Sequence, residues 1–111
     1  MGPKLSMNIL FVCSRNKWRS ATAETIYQNH PIHHVRSAGT SAVARIKINA
    51  KLINWADLIF VMEKRHKQLL TESFRADLNG KELIVLDIPD DYQYMDKELI
   101  AELETKVAIY L

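Results

Sequence analysis

Two short apolar runs, Ile9-Leu10-Phe11-Val12 and Leu58-Ile59-Phe60-Val61-Met62, constrain this chain more than any other feature. Neither alternates with polar residues and both favour β structure, which is the pattern of a strand covered on both faces. Val35 to Ala38, ending at Gly39, and Leu83 to Leu86 read as two further strands. Helical spacing fills the intervals. Ala21, Ala23, Ile26 and Tyr27 mark a helix from Ser20 to about His30-Pro31, and Ile48, Leu52 and Trp55 share one face of a helix over Lys47 to Trp55. Glu63 to Phe74 returns to helix, and Asn79-Gly80 is a turn. Asp96 is a good N-cap for a last helix whose Leu99, Leu103 and Val107 recur at spacing four. The order βαβαβαβα predicts an α/β fold of three layers (α/β/α) around a four-stranded parallel sheet. Ligands of such sheets bind beyond the carboxyl ends of the strands, at the point where strand order reverses. A ligand loop after the first strand then gives the order 2-1-3-4.

Composition sets the outer limits. At 111 residues the chain suits one domain, expected over residues 7–111. Residues 1–6, which precede a second methionine at Met7, read as a dispensable or appended leader. Gly2 and Ser6 formally fit a myristoylation pattern, but Pro3 and the lack of a polybasic second signal argue against it. The longest apolar runs are about a quarter of the ~20 residues a membrane span needs, so no membrane association is expected. A single cysteine, Cys13, excludes an internal disulfide and a multi-cysteine zinc site, and suits a reduced, cytoplasmic compartment. Residues 1–81 carry thirteen Lys or Arg against five Asp or Glu, and residues 82–111 carry two against eight. The basic body attracts anions, yet its cations are scattered without interleaved aromatics and the acidic tail repels polynucleotides, so no nucleic-acid partner is expected.

The loop after the first strand, Cys13-Ser14-Arg15-Asn16-Lys17-Trp18-Arg19-Ser20, carries the chemistry. A strand-end cysteine often serves only as a small buried hydrophobe, and an arginine near a helix start can be a plain surface residue. Together they suggest more. Loop amides between Cys13 and Arg19 would face a concave anion site, reinforced by the positive end of the helix. The same field favours the thiolate, which is the nucleophilic form. The planar guanidinium of Arg19 can grip two phosphoryl oxygens, and an anion there relieves the mild penalty of a cation at a helix start.

The stretch Phe11-Val12-Cys13-Ser14-Arg15-Asn16-Lys17-Trp18-Arg19-Ser20-Ala21-Thr22-Ala23-Glu24 resembles the signature of the low molecular weight protein tyrosine phosphatases. Ser37-Ala38-Gly39-Thr40, Trp55-Ala56-Asp57-Leu58-Ile59 and Ile88-Pro89-Asp90 are similar to later segments of that family. The resemblance implies a cysteine phosphatase with a Cys-x5-Arg loop over residues 13–20. Cys13 would be the nucleophile, forming a phosphocysteine, and Arg19 the phosphate-binding arginine. Ser20 would stabilise the thiolate, Asn16 and Ser37 would brace the loop through a mutual hydrogen bond, and Asp90 would be the acid. Tyr92 would stand at the substrate rim. The implied substrates are a phosphorylated protein, with phosphotyrosine foremost, or a small aryl phosphate. Inorganic phosphate or vanadate would inhibit, and no metal or cofactor is called for.

The sequence also departs from that family. Arg15 stands where Gly is usual, and a positive φ there would cost a non-Gly residue about 1–2 kcal/mol. Trp18 replaces a second cysteine, Asp91 replaces the proline after the acid, and Gln93 replaces an aromatic. The chain is shorter than typical members, and part of the substrate rim is expected to be missing. These departures keep open a non-catalytic, phosphate- or phosphoprotein-binding pseudophosphatase. An arsenate reductase would need further thiols, and a phosphocysteine carrier would not need Arg19-Ser20 and an acid. Four carboxylates compete for the acid role. Asp87 suits a structural role, Asp96 suits a helix cap, and Asp91 is the substitute for Asp90. His30, His33 and His34 read as solvated loop residues rather than a metal site, and His66 as part of a solvated charged helix face. Trp55 and Met62 read as core.

Overall fold

The computed structural model describes residues 5–111, so the first four residues of the expected leader lie outside it. Four strands, β1 (Asn8–Cys13), β2 (His34–Gly39), β3 (Leu58–Val61) and β4 (Glu82–Val85), form one sheet in the order β2-β1-β3-β4. Every pairing is parallel, with Cys13 opposite Gly39 and Val12 opposite Val61. Period-two alternation explains the layers. Ile9, Phe11, Cys13 and Phe60 point to one face, where they pack with Ala23 of α1 (Arg19–Tyr27) and with Leu99, Leu103 and Val107 of α5 (Lys97–Val107). Leu10, Val12, Ile59 and Val61 point to the other, against Ile53 of α2 (Ala50–Trp55) and Leu70 of α3 (Lys64–Ser73). The three α5 residues are fully buried, and each contributes about 1.5–3 kcal/mol of apolar burial. Trp55 is only half-buried at the edge of this second layer, beneath the Arg36 guanidinium 4.4 Å from its ring.

α1 ends at Tyr27, three residues short of His30, and two further elements differ from the sequence expectation. α2 begins at Ala50 rather than Lys47, because residues 46–48 extend the sheet edge instead. Gly39 N–H donates to the Ile46 carbonyl, Ile48 N–H donates to the Gly39 carbonyl, and only then does Asn49 cap the helix by accepting from Leu52 N at 2.8 Å. The helix expected over Glu63 to Phe74 ends at Ser73, and a one-turn α4 (Arg75–Leu78) follows it. At the other end of the chain Asp96 caps α5 through Glu98 N, as expected. Among the described residues no helix is long and apolar enough to cross a membrane.

Candidate active site

Four chain segments meet beyond the carboxyl ends of the strands, and the loop of residues 13–19 lies between them. Its backbone is anchored from outside. The carbonyls of Cys13, Ser14 and Arg15 accept from the backbone N–H groups of Thr40, Ser41 and Arg45, at 2.9, 2.8 and 2.9 Å. The Asn16 carbonyl accepts from Arg45 Nε at 3.1 Å. In a trans peptide the C=O and the following N–H point in opposite directions. Four carbonyls pulled outward therefore turn the N–H groups of Ser14, Arg15, Asn16 and Lys17 toward the concave side. Asn16 N–H accordingly donates to Cys13 Sγ at 3.2 Å. The N-terminus of α1 adds to this field, since Trp18 at its N-cap makes no side-chain capping bond.

Of the segment 40–45 that holds the loop, only Thr40 was read in the sequence, and Gly39 explains why the approach is close. A Cβ on Gly39 would collide with the Ser14 carbonyl oxygen and lie 2.9 Å from Asn16 N and 2.8 Å from Ala44 Cβ. The Ser-Ala-Gly-Thr motif thus supplies the bare backbone on which the loop rests. Within the loop the left-handed residue is Asn16, with φ 54°, and not Arg15. Asparagine tolerates that conformation better than most side chains, so the strain expected at Arg15 does not arise.

Cys13 is buried, and its Sγ lies 2.9 Å from Ser20 Oγ. Asn16 Nδ2 donates to the same Ser20 oxygen at 2.7 Å, and the Ser20 hydroxyl proton has two acceptors within reach, the Cys13 sulfur and, at 3.3 Å, the Ala38 carbonyl. The expected Asn16–Ser37 hydrogen bond is not formed. Ser37 donates to Glu24, whose carboxylate lies 3.8 Å from Arg45 Nη2, and Arg45 in turn holds the Asn16 carbonyl. Ser37 reaches the loop through two intermediaries because β2 places it on the Glu24 side of α1.

Arg19, the first residue of α1, is 2% exposed and bound at one end. Its Nη1 donates to Glu63 Oε2 at 2.5 Å and to the Ile88 carbonyl at 2.9 Å, which uses both hydrogens on that nitrogen. The Nε–Nη2 edge remains as a two-pronged donor. Asp90 Oδ1 stands 3.6 Å from Nε. Cys13, Ser14, Arg15, Lys17, Trp18, Arg19, Arg65 and Asp90 together line a cavity of about 260 Å³.

The acid and the rim sort out differently. Of the four carboxylates considered, only Asp90 lines this cavity. Tyr92 does not. It packs half-buried against the core and borders a groove along α5 with Glu98 and Glu102, because the chain after Asp90 turns away to start that helix. The aromatic wall of the cavity is Trp18, part-exposed, with Lys17 Nζ 5.5 Å from its ring.

Glu63, Arg65 and His66 are site residues that sequence reasoning missed, having read them as a solvated face. Glu63 stands two residues beyond the end of β3, so the rule that strand ends carry the chemistry would have flagged it. His66 is fully buried. Its Nδ1 accepts from Glu63 N–H at 3.1 Å and its Nε2 lies 2.9 Å from Ser14 Oγ. Burial, with the charges of Arg19 and Arg65, pushes the His66 pKa from an ordinary 6.5 down to about 4, against weaker opposition from Glu63 and Asp90. For Glu63, burial raises the pKa but is outweighed by hydrogen bonds and charge from Arg65 and Arg19, and the carboxyl falls to about 2. Both shifts favour the deprotonated groups in the fold, so the unfolded chain binds more protons. Stability is therefore expected to fall as pH drops from 6.5 toward 4 through His66, and again from 4.5 toward 2 through Glu63. Urea midpoints at pH 7, 5 and 3 should decline in that order, and His66→Gln should flatten the upper window. A flat wild-type profile between pH 6.5 and 4 would show that His66 is not held neutral.

Of the remaining histidines His34 is exposed, as expected, whereas His33 is less solvated than expected. His33 is buried, with Nδ1 accepting from Met7 N and its ring 4.8 Å from that of His30. Among the described residues no group of three or more His, Cys, Asp or Glu is placed to hold a metal ion.

No protein-family model matches the chain. The low molecular weight protein-tyrosine-phosphatase Wzb of Escherichia coli strain K12 is 33% identical to it, over 78% of each chain. Two solved structures share the fold at 20% identity. Wzb from Escherichia coli K30, in complex with phosphate, has a TM-score of 0.75 over 93% of this chain and 94% of that one. The YwlE arginine phosphatase from Geobacillus stearothermophilus has a TM-score of 0.67 over 94% of each. The 33% identity to Wzb over 78% of the chain shows that the chain belongs to the low molecular weight protein tyrosine phosphatase family, in keeping with its sheet order.

Proposed function

We propose that this chain hydrolyses phosphate monoesters, with phosphotyrosine on proteins as the substrate class, through a phosphocysteine on Cys13. One observation carries this reading: the outward-tied loop leaves inward amides, a buried cysteine and the Nε–Nη2 edge of Arg19 facing one small cavity, with Asp90 Oδ1 3.6 Å from that Nε. The Cys13 thiolate attacks phosphorus, the bond to the ester oxygen breaks, and Asp90 gives its proton to that oxygen. The Nε–Nη2 edge of Arg19 and the loop amides hold the remaining phosphoryl oxygens as charge builds on them. Water then attacks phosphorus, Asp90 takes its proton, and the S–P bond breaks to release phosphate and the thiolate. Ser20 and the Asn16 N–H stabilise that leaving sulfur. Inorganic phosphate and vanadate occupy the same cradle and inhibit. Trp18 gives the cavity an aromatic wall suited to an aryl ester, and the single free thiol suits a reduced cytoplasm.

The pseudophosphatase reading rested on Arg15 and Asp91, and its first support is weakened, since Arg15 carries no left-handed strain. Steady-state turnover of aryl phosphates, with and without vanadate, tests the proposal. Asp90→Asn is expected to slow phenyl phosphate by about 10²-fold and para-nitrophenyl phosphate by less than about tenfold, because a good leaving group needs little protonation. If Asp91→Asn shows that pattern and Asp90→Asn does not, the acid is the neighbouring residue. No turnover by the wild type would leave a phosphate-binding protein.

A further inference from the structure

We propose that His66 is a positioning residue that aims the Ser14 hydroxyl at the bound phosphoryl group; this rests on the phosphatase reading above. His66 Nδ1 accepts from Glu63 N–H at 3.1 Å, so that nitrogen carries no hydrogen. A neutral imidazole must then carry its one proton on Nε2. The depressed pKa of this buried ring agrees with the neutral form. Nε2–H therefore donates to Ser14 Oγ at 2.9 Å. Arg65 Nη2 donates to the same oxygen, also at 2.9 Å, while bridging to Glu63 Oε2 at 3.1 Å. A hydroxyl oxygen has two acceptor positions, and both are filled from α3. The Ser14 proton must point away from His66 and Arg65. Ser14 lines the cavity with Cys13 and Arg19, so the acceptor on that side is an oxygen of the phosphoryl group. A freely rotating serine would offer its proton in several directions. Here the neighbouring donors leave one.

The test measures binding of inorganic phosphate by calorimetry, alongside para-nitrophenyl phosphate turnover, in four variants. Ser14→Ala and His66→Leu should each weaken phosphate binding about tenfold, as for one hydrogen bond to a charged group. The double variant should be no weaker than either single one, because both remove the same donor. His66→Gln should recover most of the binding, since its carbonyl oxygen and amide nitrogen share one carbon as the two ring nitrogens do. Multiplied losses in the double variant, or unchanged phosphate binding in Ser14→Ala, would overturn the proposal. If His66→Leu fails to fold, Ser14→Ala and the Gln variant still decide it. Wild-type protein that binds phosphate with these dependences yet turns nothing over would sink the phosphatase reading and leave the Ser14 assignment standing. Wild-type protein that binds no phosphate would overturn both.

Discussion

Cys13→Ser is expected to abolish turnover of para-nitrophenyl phosphate, by about 10⁴-fold or more, while inorganic phosphate still binds. The two halves of this expectation have separate causes. Nucleophilic attack needs an anion at the loop centre, and a serine hydroxyl there has no base to take its proton. The groups around it are a neutral hydroxyl, Ser20 Oγ, and a donor, the N–H of Asn16. Binding, in contrast, depends on the cradle. Amide direction is fixed by carbonyls tied to Thr40, Ser41 and Arg45, and the Arg19 edge is fixed by Glu63 and Ile88, none of which involves the sulfur. Replacing a thiolate by a neutral hydroxyl also removes a charge that repels phosphate. Calorimetric affinity in the variant should equal or exceed that of the wild type. Retention of more than about 1% of turnover would show that Cys13 is not the nucleophile.

The parts of this architecture that were legible in the sequence are those written in local pattern. Unbroken apolar runs at Ile9–Val12 and Leu58–Met62, alternating with helices, point to a parallel sheet covered on both faces, and the sheet order follows from where the anion loop must sit. Cys13 and Arg19 are close in sequence, and Asp90 is marked by Pro89, so their meeting needed little tertiary knowledge. The unread parts depend on register between distant segments. Nothing local in residues 40–45 announces that their N–H groups will hold the loop, which follows from Cys13 and Gly39 lying side by side at the strand ends. His66 looks solvated among Glu63, Lys64, Arg65 and Lys67, yet the helix turns it inward while its neighbours stay out. A charged run one turn long has an inner side, and composition cannot say which residue takes it. Tyr92 shows the reverse. Its resemblance to a family aromatic suggested the cavity rim, but the start of α5 five residues later draws it toward the core.

Arg19→Lys and Arg19→Ala should each lower kcat/KM by about 10³-fold, with the two variants differing far more in stability than in rate. The geometry of Arg19 gives the reason. One guanidinium nitrogen is wholly engaged by Glu63 and the Ile88 carbonyl, and that engagement holds the opposite edge toward the cavity. A lysine ammonium can satisfy the Glu63 carboxylate or reach a phosphoryl oxygen, but one nitrogen cannot do both in a forked geometry. Arg19→Lys therefore keeps a charge beside Glu63 and loses little stability, yet it loses the two-pronged grip on phosphate. Arg19→Ala also strips Glu63 of one of its two arginines and opens a space in a buried position, so its urea midpoint should drop further. Arg65 still pairs with Glu63 at 3.1 Å, and the carboxylate is 30% exposed, so the fold should survive the change. Rate and urea midpoint are to be measured on the same preparations. An Arg19→Lys variant that keeps more than a tenth of wild-type kcat/KM would mean that charge alone suffices, and that the free edge left by Glu63 and Ile88 has no part in the reaction.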